Sequence, residues 1–174
     1  MTVSSKPVAP TETAQSVEER SRALRDTLGQ FATGVTVVTT ATETGPLGIT
    51  ANSFASVSLE PPLVLWSPAR RSARYPAFEA ASHFAIHILA RDQRWLADRF
   101  AKSGDDFEGV THTPGLGDAP LFENCAARLE CIHSAGHDGG DHLIVVGEVL
   151  RMQVNEVPPL VFHRGTYCAI GPES

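Results

Sequence analysis

The sequence predicts a mainly β protein, an antiparallel β-barrel that is closed or nearly closed, with a few helices inserted. About seven or eight stretches have strand character, and short turns join most of them. Strands and helices do not alternate regularly, which argues against a doubly wound nucleotide-binding fold. Neither GxGxxG nor GxxxxGKS/T occurs, so two common phosphate-binding loops are excluded.

Length and charge restrict the classes of function. The 174 residues suit one domain, and 42% hydrophobic residues are enough for a full core. The net charge of -6 argues against a nucleic-acid or anionic membrane surface, because binding to phosphates needs clustered cations. The apolar runs are only strand-length, so we expect no membrane span. Three cysteines without a CxxC pair, and no apolar signal segment, favour reduced thiols in a cytoplasmic protein.

The chain is expected to begin with a flexible tail. Residues 1–15 are rich in Pro, Thr, Ser and Ala and have little to bury, whereas residues 16–174 are expected to form the single domain. Ser16 and Glu19 match a capping box at the start of a helix. Gly34 is expected to end this helix. Its apolar residues recur at helical spacing at Leu24, Leu28 and Phe31.

β-branched or alternating segments indicate the strands. Two further helices are predicted, one over residues 71–81, weakened by Pro76, and one after Asp92. The polar stretches 103–120 and 134–140 are predicted to be loops. The strands are expected at residues 35–40, 47–51, 54–58, 63–66, 84–89, 127–132, 143–149 and 160–163, the last of which would close the sheet.

The first candidate binding segment is GITANSF, residues 48–54. Gly48 permits close approach of a ligand to the backbone. Thr50, Asn52 and Ser53 offer donors and acceptors to the edge of a heterocycle. The alternative is an ordinary strand end whose polar side chains face water, and the pattern by itself favours that alternative.

The second candidate is WSPARRS, residues 66–72, which follows an apolar strand and opens a helix. Two hydroxyls, two guanidinium groups and a helix N-terminus can together form an anion cradle. The alternative is a capped helix, with Ser67 or Ser72 as the cap and with Arg70 and Arg71 solvated.

The third candidate is a cluster of histidines and carboxylates between Cys131 and His142. A metal site is one interpretation, but the spacing matches no standard zinc pattern, and Gly139-Gly140 indicates a turn. In the other interpretation, Asp141 orients His142 at the start of a strand, where the ring can meet a ligand in the mouth of the barrel.

The fourth candidate is FHRGTY, residues 162–167. Its basic and aromatic groups can hold a nucleotide by charge and ring stacking, although the pattern alone favours a last strand with an exposed bend. No nucleophile elbow, HExxH or DxDxDG motif is present. Hydride transfer between two cofactors needs little from side chains beyond geometry and electrostatics, so it is compatible with this sequence.

Five stretches occur in a recognisable order: FATGVTVVTT (31–40), GITANSFASVSLEPPLVLWSPARRS (48–72), FAIHIL with LADRFAKSGDDF (84–107), GGDHLIVVGEV (139–149) and PLVFHRGTY (159–167). Together they resemble the short-chain flavin reductase family, the reductase components of two-component flavin-dependent monooxygenases. The resemblance implies an FMN-binding split β-barrel that forms a homodimer, with flavin near the subunit interface. It also implies FMN or FAD and NADH or NADPH as cofactors.

The resemblance further implies roles for individual residues. His142 would be the catalytic residue, next to the nicotinamide. Ser67, Arg71 and Ser72 would hold the flavin phosphate. The residues that would line the isoalloxazine and ribityl chain are Pro46, Leu47, Gly48, Ile49, Thr50, Asn52 and Ser53. The remaining nicotinamide-nucleotide contacts would be His163, Arg164, Gly165 and Tyr167.

The function that the resemblance implies is that of an NAD(P)H:flavin oxidoreductase. It would transfer hydride to FMN or FAD and hand the reduced flavin to a partner monooxygenase. Two alternatives also bind flavin: an oxidase of the pyridoxamine-phosphate oxidase type, and a non-catalytic flavin-binding module. A metal-binding scaffold that uses the 131–142 cluster is a further alternative.

Overall fold

A computed structural model describes residues 14–171, and it confirms the mainly β prediction. Within this range no helix is long and apolar enough to cross a membrane. The helices are α1 (Ala14–Leu28), α2 (Tyr75–Ala80) and α3 (Arg94–Lys102). The strands are β1 (Thr33–Gly34), β2 (Thr36–Thr42), β3 (Gly45–Ala51), β4 (Ala55–Leu59), β5 (Pro62–Trp66), β6 (His83–Ile88), β7 (His112–Pro114), β8 (Pro120–Phe122), β9 (Ala127–Gly139), β10 (His142–Val154), β11 (Val161–His163) and β12 (Thr166–Cys168).

Seven strands form one antiparallel sheet in the order β3-β2-β6-β9-β10-β5-β4. Its two edge strands, β3 and β4, are separated in sequence only by residues 52–54, so the sheet must curve to bring its edges together. No ladder joins β3 to β4, which leaves the barrel split at this point. The Ser53 hydroxyl lies at the split, where it accepts the Ser67 N–H at 2.9 Å and donates to the Ser67 carbonyl at 3.2 Å.

Apolar residues cover both faces of β2. Val38 belongs to the barrel interior, where Trp66, Phe78 and Phe84 are also fully buried. Val37 belongs to a second cluster on the outer face, which α3 covers. This double burial explains why the β2 sequence is β-branched almost throughout instead of alternating with polar residues.

The structure corrects the predicted limits of α1. Its first two residues, Ala14 and Gln15, fall in the expected tail, while residues 1–13 lie outside the described part of the chain. Ser16 therefore lies in the first turn and does not precede the helix as an N-cap. The helix ends at Leu28, and Gly34 belongs to β1.

Two predicted loops contain regular structure. Residues 134–140 belong mostly to β9, which forms a long hairpin with β10 around a tight turn. The polar end of this hairpin is exposed, so its strands lack the apolar alternation that would have revealed them. Residues 103–120 include β7 and the start of β8, which pair with each other. Helix α2 is shorter than predicted, and Pro76 lies in its first turn, where no hydrogen bond is lost.

The last predicted strand does not close the large sheet. Instead, β11 pairs with β1 and β12 in a separate three-stranded sheet. This small sheet places the turn between β11 and β12 beside the end of α1, since the Arg164 N–H donates to the Gly29 carbonyl at 3.0 Å.

A buried histidine predicts a pH-dependent stability. His87 is fully buried: its Nδ1 lies 3.0 Å from the Val37 carbonyl, and its Nε2 accepts the Phe122 N–H at 3.1 Å. Burial lowers the pKa of His87 to about 3. The unfolded chain then binds more protons than the folded chain between pH 6.5 and 3, so stability should fall on acidification through this range.

Urea unfolding at several pH values measures this effect. Below pH 6.5, His87 should lower the free energy of unfolding by close to about 1.4 kcal/mol for each pH unit of acidification. His87→Gln, which cannot titrate, should be less stable at pH 7 but should show a flatter pH dependence. Parallel profiles for the two proteins would contradict the prediction.

Candidate functional site

A cavity of about 1110 Å³ opens at the split of the barrel. Its wall combines the end of α1, the link between β3 and β4, the start of β10 and the turn between β11 and β12. It thereby brings together five of the predicted site residues, Asn52, Ser53, His142, Arg164 and Gly165. These residues come from three segments that are far apart in sequence, and the cavity is large enough for an organic cofactor.

The tip of the β9–β10 hairpin positions His142. A left-handed Gly140, with φ of +75°, permits the tight turn that precedes it. The loop that follows β5 then pairs with the start of β10, because Ala69 bridges to His142 and the Leu143 N–H donates to the Pro68 carbonyl at 3.1 Å. The predicted anion loop and His142 are therefore direct neighbours.

Asp141 orients the His142 ring, as the second interpretation of the 131–142 cluster predicted. His142 Nδ1 lies 2.7 Å from Asp141 Oδ1. This hydrogen bond lowers the pKa of Asp141, and the charge of Arg71 lowers it further. Within residues 14–171, Nε2 of His142 has no hydrogen-bond partner and is available to a ligand.

The other members of the cluster between Cys131 and His142 lie apart from one another along the β9–β10 hairpin. Cys131 is buried in the barrel core, and burial raises its pKa to about 12. His133 Nδ1 lies 3.2 Å from the Ala81 carbonyl. In the described part of the chain, no group of three or more His, Cys, Asp or Glu residues is arranged to hold a metal ion.

The two arginines of the anion loop have different surroundings. Arg70 clamps the hairpin: its Nη2 lies 2.9 Å from Asp138 Oδ1, its Nε donates to the Gly140 carbonyl at 3.3 Å, and its Nη1 donates to the Tyr75 hydroxyl at 2.7 Å. Arg71 is exposed and has no hydrogen bond or ion pair among residues 14–171. Arg71 is therefore the arginine that remains free to bind an anion.

Loss of the Arg70 clamp is expected to affect function more than stability. Arg70→Gln removes an exposed ion pair, so the free energy of unfolding should change by only about 1 kcal/mol. The loosened hairpin should misplace His142 and raise KM for its ligand about threefold to tenfold. Arg70→Lys, which keeps the charge but not the fork of donors, should be intermediate. Unchanged kinetics in both variants would show that the clamp has no part in binding.

The other predicted residues lie outside the main cavity. Leu47 and Ser72 line a second cavity of about 600 Å³, together with Lys102. Thr50 and Tyr167 line a third, of about 150 Å³, which shares Asn52 and Phe162 with the main one. Six predicted residues line none of these three cavities: Pro46, Gly48, Ile49, Ser67, Arg71 and His163.

Two predicted ligand contacts have structural tasks. The Thr50 hydroxyl donates to the Ala97 carbonyl at 2.7 Å and so ties β3 to α3. Gly48 is buried, and a Cβ at this position would lie 2.7 Å from Cδ1 of Phe100. The close approach that Gly48 permits is therefore that of the Phe100 ring, where a ligand had been expected.

Several residues of the main cavity were not predicted from the sequence. Arg25, Asp26 and Gln30 lie at or near the end of α1, and Phe31 follows it. Phe31 was placed in the predicted helix by its spacing from Leu28, but it lies beyond the helix end, and its side chain is 78% exposed. The sequence contains no signal for this wall, because it forms only where α1 meets the small sheet.

Fold and cavity define the class of protein: a split β-barrel with a ligand-binding site at the split. The flavin reductase like domain matches residues 28–171, and the chain belongs to this family of oxidoreductases. It is 52% identical over 149 residues to the FMN reductase (NADH) SmoA of Agrobacterium fabrum, and the match covers 86% of each chain. It is 41% identical over 158 residues to HsaB of Mycobacterium tuberculosis, the reductase subunit of a flavin-dependent monooxygenase, with 87% of this chain and 83% of HsaB covered.

A solved structure agrees with the fold. The NADH:FAD oxidoreductase SgcE6 of Streptomyces globisporus, in complex with NAD and FAD fragments, superposes with a TM-score of 0.84 at 35% identity. The match covers 98% of this chain and 99% of SgcE6. The described part of this chain therefore has the same architecture as SgcE6.

Proposed function

We propose that the protein is an NAD(P)H-dependent flavin reductase that transfers hydride from NADH or NADPH to FMN or FAD. We further propose that it supplies the reduced flavin to a partner monooxygenase. The observation that carries the proposal is the cavity at the barrel split, where Asn52, His142 and Arg164 meet. The names of the relatives support both parts, since SmoA is an FMN reductase (NADH) and HsaB is a reductase subunit of a monooxygenase.

The residues present fit a flavin nucleotide. The hydroxyl of Thr33, which lines the main cavity, is buried without a hydrogen-bond partner in the described residues, as expected where a ligand supplies one. Arg71, with its free guanidinium group, and Ser72 are suited to bind the flavin phosphate. A bound flavin supplies the ring that accepts the hydride.

The protein's own task is mainly orientation. Asp141 fixes the ring of His142, which we propose positions the nicotinamide through its free Nε2. Arg164 binds the rest of the nicotinamide nucleotide by charge. Hydride transfer needs no proton from a side chain, so alignment of the two rings is the main catalytic device.

A steady-state assay that crosses FMN, FAD and riboflavin with NADH and NADPH tests the proposal. We expect flavin-dependent loss of nicotinamide absorbance, and stopped-flow mixing should bleach the flavin. Flavin binding without nicotinamide oxidation would identify a non-catalytic binding module. Oxygen consumption from an amine or phosphate ester without NAD(P)H would identify an oxidase.

We also propose that the protein is a homodimer. Large apolar side chains are exposed on the far half of β10 and beside it, including Met152 at 72% and Val154 at 80%. An apolar surface of this kind is usual where subunits meet. Light scattering is expected to give twice the mass of the 18.6 kDa chain, and a monomeric mass at micromolar concentration would refute the dimer.

A further inference from the structure

Two arginines whose guanidinium groups have no partners in residues 14–171 are among the residues that line the main cavity. Arg25 lies in the last turn of α1, and Arg164 lies in the turn between β11 and β12. The side chain of neither arginine makes a hydrogen bond or an ion pair with residues 14–171. Unpaired arginines in a shared cavity are suited to phosphate, which their planar donors can bind in a bidentate manner.

Gly29 fixes the backbones of both arginines. The Gly29 N–H donates to the Arg25 carbonyl at 2.8 Å, and the Gly29 carbonyl accepts the Arg164 N–H at 3.0 Å. A Cβ on Gly29 would lie 3.1 Å from the Arg25 oxygen and 3.5 Å from Arg164 Cα. The helix end and the turn are thus in direct contact, and hydrogen bonds to Gly29 link the backbones of the two arginines.

The backbone of Arg164 is itself unusual. Arg164 and Gly165 form a two-residue hairpin loop with φ of +50° and +78°. Such loops favour Asn or Gly at the first position, because other side chains adopt positive φ only at a cost. A residue other than glycine that keeps a positive φ at a cavity wall points to a functional constraint.

We propose that Arg25 and Arg164 form an anion subsite for the phosphate groups of the nicotinamide nucleotide. This inference rests on the proposed reductase function and deepens it. The flavin phosphate is the less suitable occupant, because its candidate ligands, Arg71 and Ser72, do not line this cavity. One carboxylate, Asp26, also lines the cavity, so the two guanidinium groups leave an excess of positive charge there.

Arg25 extends the site beyond the family domain. The flavin reductase like domain begins to match at residue 28, after Arg25 and Asp26. These two residues reach the cavity only because α1 ends beside the β11–β12 turn. The subsite therefore adds a nucleotide contact from outside the matched domain.

Arg25→Gln tests the subsite. KM for NADH is expected to rise about tenfold, because one charge-assisted contact is lost. We expect kcat and KM for FMN to stay near wild type. KM of the wild type should increase with salt, and the variant should lose most of this dependence. Arg22→Gln is the matched control, because Arg22 is an exposed cation on the same helix but does not line the cavity.

Calorimetric titration of NADH gives a readout that does not depend on turnover. Arg25→Gln should bind NADH about tenfold more weakly than the wild type and the Arg22→Gln control. Arg164→Asn should also bind it more weakly while being at least as stable, because Asn suits the positive φ. Comparison with reduced nicotinamide mononucleotide, which carries a single phosphate, shows which phosphate Arg25 contacts.

Three results would overturn the inference. Wild-type NADH binding and salt dependence in Arg25→Gln would show that Arg25 has no part in binding the nucleotide. A rise in KM for FMN, but not for riboflavin, would assign the subsite to the flavin phosphate. Weaker binding of NADH by Arg22→Gln to the same extent would reduce the effect to general charge. If the wild type binds NADH but oxidises neither NADH nor NADPH, the proposed function fails while the titration still decides the subsite.

Discussion

His142→Ala is expected to lower kcat/KM for the nicotinamide nucleotide about 10- to 100-fold while leaving flavin affinity within about twofold of wild type. The reason is positional: His142 lines the cavity, Asp141 holds one nitrogen of its ring, and the other nitrogen has no partner in residues 14–171. Removal of the ring takes away an orienting contact without disturbing the anion loop. Steady-state kinetics and fluorescence titration with flavin measure the two quantities separately.

His137→Ala is the matched control for this variant. His137 is an exposed histidine on the same hairpin and does not line the cavity, so its replacement should change neither quantity. Asp141→Asn should show part of the His142→Ala effect, because an amide orients the ring less firmly than a carboxylate. Weaker flavin binding with unchanged use of NADH or NADPH would remove His142 from the proposed role.

Gly48→Ala is expected to destabilise the protein by about 2–3 kcal/mol, the cost of overpacking a filled core. The added Cβ would lie 2.7 Å from Cδ1 and 2.9 Å from Cε1 of Phe100, which is fully buried. The ring has little room to move, because Phe107 and Phe122 contact it at centroid distances of 4.9 and 5.5 Å. Urea unfolding measures the change.

Gly34→Ala is the control for the change of residue type. A Cβ on Gly34 would meet no atom within 4 Å, so this variant should differ from wild type by less than about 1 kcal/mol. A smaller ring neighbour should relieve the clash, so Gly48→Ala combined with Phe100→Leu should be less destabilised than the sum of the two single changes. Wild-type stability of Gly48→Ala would refute the packing account.

Local sequence predicted the strands well where their side chains meet a core. β2, β5 and the first half of β10 were predicted because apolar or β-branched residues crowd these segments. The tip of the β9–β10 hairpin was missed because it is exposed on both faces and carries Gly, His and Asp. A buried strand has a recognisable apolar pattern in its sequence. A solvated hairpin is stabilised mainly by its own backbone hydrogen bonds, so its sequence shows little apolar pattern.

In the candidate site, contacts between residues close in sequence were predicted, whereas contacts between distant residues were not. The residues that are close in sequence, such as Asp141 with His142, were paired correctly from spacing alone. The WSPARRS motif alone did not distinguish Arg70 from Arg71, although the family resemblance named Arg71, because Arg70 is engaged by Asp138, which lies far along the chain. A long-range partner therefore occupies Arg70, whereas Arg71 remains free to bind an anion.

The mainly β class, the family resemblance and the segments from which a site could be built were all predictable from the sequence, since these depend on local composition and motif order. Which of these segments share a cavity followed only from the way the chain folds. That choice depends on the pairing of β1 with β11 and of Ala69 with His142, contacts across 70 to 130 residues that no local pattern encodes. For this reason Arg25 and Phe31 joined the wall, and the ring of Phe100 took the space beside Gly48 where a ligand had been expected.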